Sequence, residues 1–185
     1  MGFFERFFAN EPDEDAVPFS LNNAFLKENE NFLRVNISTE SINQMTDLTD
    51  SEMEVLKGAN QTLADFFAAL LQFEHHIINH PTNLEEFWEV WESEDFNDFM
   101  GYSAERIALI FGAAIGFYLV ENQLMTWKKL NTSEGSYIIL LHQGVPTLVF
   151  YPFAYILNGI KEEELLPFEE LERKIQVMLR KDVSN

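Results

Sequence analysis

Cysteine is absent from all 185 residues. Its absence excludes disulfides, thiolate metal sites and cysteine nucleophiles, and it fits a reducing cytoplasm, the expected location. Long apolar runs are also absent. The longest, Ile107 to Val120, spans 14 residues, short of the ~20 that a bilayer-spanning helix needs, so it reads as a core helix. The N-terminal MGFFERFFAN has an acid within five residues and no apolar stretch, so no secretory signal is expected. Positive charge is scarce: 12 Lys and Arg stand against 31 Asp and Glu, a net charge of −19. Residues 1–100 carry 21 acids and 4 bases, whereas residues 101–185 carry 10 and 8. Nucleic-acid binding requires clustered cations on phosphates and is not expected. Also missing are the nucleophile elbow, the phosphate-binding glycine loop and the dinucleotide fingerprint. No cofactor is expected and no catalytic residue is assigned.

What is present describes a folded body. Hydrophobic residues make up 46% and aromatics 14%, with eighteen phenylalanines, well above a disordered composition. The spacing divides the chain into residues 1–18, a short amphipathic helix with an acidic linker, and a single domain over 19–185. Phe3, Phe4, Phe7 and Phe8 form one apolar stripe, suited to docking on the protein's own core or on a neighbouring subunit, so a dimer is possible. Residues 19–35 show weak helical spacing, and residues 36–47 read as loop or a short helix around Ile42.

From Thr49 the helical signal sharpens. Thr49-Asp50-Ser51-Glu52 matches a capping box, and a long amphipathic helix follows toward Pro81. Asn83 and Glu86 resemble a second box. Leu84, Phe87, Trp88 and Trp91 then share one helix face, while Glu85, Glu86, Glu89 and Glu92 take the other. Ser103 caps the apolar helix 104–122, in which Gly112 and Gly116 lie one turn apart and imply close approach of a strand or helix. The period then changes to three short β-type runs, about 125–130, 136–142 and 146–151. Their connections force antiparallel pairing. The run from Tyr137 to Leu141 suits a central strand covered on both faces. Pro152 opens a short helix expected to stop at Gly159, and residues 167–181 form a last amphipathic helix. The fold class expected is α+β: a three-stranded antiparallel meander packed against the buried helix 104–122, with an N-terminal helical layer from residues 50–94.

Gly112, Gly116, Tyr118, Leu119, Trp127, Gly135, Phe150, Pro152 and Ile156 together resemble the pattern of a small bacterial family of domains of unknown function. The resemblance covers residues 104–160. It implies a mixed α+β fold and a bacterial source, and it implies no activity. A basic pair follows the Ile in that family, where Leu157-Asn158 stands here, so an anion-binding loop is not expected.

Two constellations carry the functional expectations. His76 and His80 lie i, i+4 near Glu74, a spacing suited to a metal pair, although the HExxH order and a fourth ligand are missing. They are weak metal candidates against a plain helix-end role. Paired carboxylates flanking a sugar would suit glycoside chemistry, but Trp88 and Trp91 point away from the glutamates of their helix. The leading expectation is a non-catalytic, acidic protein-binding module, immunity-type or regulatory, engaging a basic partner through Glu85, Glu86, Glu89 and Glu92. The alternative is a small-molecule-binding or enzymatic domain with a pocket between the sheet and helix 84–91.

Overall fold

The computed structural model describes residues 33–34, 44–71, 81–92, 102–132, 135–144, 148–162 and 168–182. The stripe at residues 3–8, the linker 11–18 and both candidate metal ligands, His76 and His80, lie outside the described residues.

The chain is α+β with an antiparallel sheet. In order, it forms β1 (Leu33–Arg34), β2 (Met45–Thr46), α1 (Asp50–Leu71), α2 (Pro81–Glu92), α3 (Ala104–Asn122), β3 (Met125–Thr132), β4 (Gly135–His142), β5 (Val149–Phe150), α4 (Pro152–Glu162) and α5 (Phe168–Asp182). The three expected strands pair as a meander: Trp127 lies opposite Leu140, and Leu141 opposite Val149. They sit inside a larger sheet of order β1-β5-β4-β3-β2. β1 adds to one edge through Leu33 opposite Phe150, and β2 adds to the other through Met45 opposite Leu130. Leu33 and Arg34, expected in a helix, are therefore strand, as are Met45 and Thr46, expected in loop or helix. Two-residue edges carry no period of their own, and pairing with a long neighbour decides their conformation.

β4 is the central strand, and Tyr137, Ile138, Ile139 and Leu140 are all buried. Alternation sends Ile138 and Leu140 to the main core, together with Met125 and Trp127 of β3. It sends Tyr137, Ile139, Leu130 and Val149 to a second cluster on the opposite face. α3 forms the axis of the main core. Residues 107–116 are buried without a break, because α1, α2, α4 and β3 all pack on it. Each large side chain buried there contributes roughly 1.5–3 kcal/mol.

Helix starts follow the local chemistry. The Thr49 hydroxyl accepts from the Glu52 N–H at 3.3 Å, and Glu52 accepts from the Thr49 N–H at 2.8 Å, a complete capping box. Ser103 accepts from the Arg106 N–H at 3.2 Å and caps α3. Two boundaries differ from expectation. α2 begins at Pro81, whose fixed φ suits the first helical position, so Asn83 lies inside the helix rather than at its cap. α4 continues through Gly159 to Glu162. Packing of α4 on α3 outweighs the propensity penalty of one glycine, which is about 1 kcal/mol.

Candidate functional site

α2 presents two chemically opposite faces. Leu84 and Phe87 are fully buried, and Trp88 and Trp91 are 5% and 9% exposed. Trp88 meets Phe111 of α3 edge-on at 5.2 Å and touches Trp91 at 4.9 Å. The rings of α2 thus point inward, and the helix packs on α3 and α5. Glu86 and Glu89 are exposed on the outer face. Glu92 ends the helix, and its side chain lies outside the described residues.

Glu85 has a different role from its neighbours. Its Oε1 accepts from the Glu169 N–H at 3.0 Å, at the start of α5. The Thr82 hydroxyl donates to Glu169 Oε1 at 2.9 Å in return. A carboxylate at a helix N-terminus satisfies an otherwise unpaired N–H and meets the positive end of the helix dipole. Beneath it, burial pushes the Tyr155 phenol up, and the Glu85 charge adds to that shift. Glu85 therefore ties α2 to α5, leaving Glu86 and Glu89 as the described carboxylates that face outward from this helix.

Among the described residues, three lysines pair with carboxylates of residues 44–71. Lys57 pairs with Glu54 at 2.8 Å, and Lys128 with Asp47 at 2.5 Å. Lys129 pairs with Glu52 at 2.5 Å. Glu52 is only 2% exposed. Burial alone would raise its carboxyl, but Lys129 and both Thr49 donors hold it below the ordinary 4.5. This ion pair, 77 residues apart in sequence, was not expected; nothing local in the sequence marks Lys129 as Glu52's partner.

A second polar group joins the end of α3 to α5. Glu172 accepts from the Tyr118 hydroxyl at 3.1 Å and from the Gln123 amide at 2.6 Å. The Gln123 carbonyl oxygen accepts from the Gln176 amide. Burial and the Glu172 carboxylate raise the Tyr118 phenol to about 12. One signal could have found this cluster: Glu172 and Gln176 lie i, i+4 along the border of the apolar stripe of Leu171 and Ile175.

No group of three or more metal-binding side chains occurs among the described residues. No helix among them is long and apolar enough to cross a membrane. Compared with known proteins, the chain matches no family model, no curated protein and no solved structure.

Proposed function

We propose that this chain is a non-catalytic, acidic protein-binding module of immunity or regulatory type. It acts in the cytoplasm and engages a basic protein partner through the outer face of α2. The observation that carries the reading is the pair Glu86 and Glu89, exposed on a helix whose opposite face is locked by buried Trp and Phe. A fixed helix holds like charges toward one partner with no further ordering of the backbone. Residues 1–100 supply the surrounding field, with 21 acids against 4 bases. Such a field raises association rates and selects partner charge more than it adds affinity. Each exposed ion pair formed contributes only about 0.2–1 kcal/mol.

The test is capture from a lysate of the native host at low salt and again at roughly 0.5 M, where screening shortens the field to a few ångströms. A basic protein is expected at low salt and lost at high salt, and the E86K/E89K variant should lose it at both. If every recovered partner stays bound to E86K/E89K, the acidic-face reading is wrong. Glu85→Ala separates the two roles on this helix. It should lower stability by about 1 kcal/mol through loss of the cap on α5, read by urea melting, while partner binding persists.

A further inference from the structure

We draw no further inference here: the strongest candidate, the buried indole N–H groups of Trp91 on α2 and Trp127 on β3 that have no hydrogen-bond acceptor among the described residues, carries none, because both rings belong to the core already described, Trp91 against Trp88 and Trp127 against Phe117 and Phe153.

Discussion

Two missing methyl groups shape the centre of this molecule. A Cβ on Gly116 would lie 2.2 Å from the Trp127 ring, and one on Gly112 would lie 2.5 Å from the Phe153 ring. The close approach implied by their spacing is therefore made by aromatic rings, one from β3 and one from α4. Those rings stack on each other at 6.2 Å and 15°, and Phe117 meets Trp127 edge-on. Trp127→Ala should cost roughly 3–5 kcal/mol, as emptying a filled core site does. Gly116→Ala should cost about 1–3 kcal/mol from overpacking. Combined, the two should fall short of their sum, because the new methyl enters the space that the ring leaves. Urea melts of the three variants measure this. A near-neutral Trp127→Ala would show that the ring does not support the core. Tyr118 is half-buried, packed against the same core with its hydroxyl on Glu172.

At the scale of elements, α1 is joined to the sheet through one residue. Glu52 closes the capping box with Thr49 and also receives Lys129 from β3. The helix start and the strand thus share one buried carboxylate. Removing the cation leaves that charge without compensation, which costs far more than the intact pair contributes. Lys129→Met is expected to lower stability by up to about 3–5 kcal/mol. Adding Glu52→Gln should recover most of the loss, since the amide oxygen can still accept from Thr49 and no charge remains to be buried. A neutral Lys129→Met, or a double variant as unstable as the single one, would show that the pair does not couple α1 to β3.

Across the whole molecule, four titrating groups shifted in the folded state set a pH window: His142, Glu52, Tyr118 and Tyr155. Burial lowers His142 from its ordinary 6.5, and its Nδ1 accepts from the Gly144 N–H at 3.1 Å, which requires the neutral ring. Glu52 is lowered from 4.5, and Tyr118 is raised from 10.0 to about 12. A lowered group contributes stability above its unfolded value and loses it on acidification, because the unfolded chain takes up the proton first. A raised tyrosine contributes below its unfolded value and loses it as pH rises, because the unfolded chain gives up the proton first. Stability should therefore fall first below about 6.5 through His142 and again below about 4.5 through Glu52. It should fall on the alkaline side between 10.0 and about 12 through Tyr118. Urea midpoints across this range check the window. His142→Gln should flatten the first acid limb, and Tyr118→Phe should reduce the alkaline one, the remainder belonging to Tyr155.

Several features follow from residues close together in the chain. The cap of α1, the cap of α3, the unbroken apolar surface of α3 and the meander of β3, β4 and β5 were all legible, because spacing, turn residues and hydrogen-bonding side chains act within a few positions. The division of α2 into an aromatic face and an acidic face was legible for the same reason. Tertiary structure alone decided what depends on distant neighbours. β1 and β2 are two residues each and exist only because β5 and β3 offer partners. Lys129 finds Glu52 across 77 residues. Glu85 differs from Glu86 only in lying beside the start of α5, which turns one carboxylate into a helix cap and leaves the next in solvent. Leu124 looks like any apolar residue until the corner between α3 and β3 forces its φ positive and turns its side chain outward. Periodicity assigns a residue to a face, but the fold determines what that face meets.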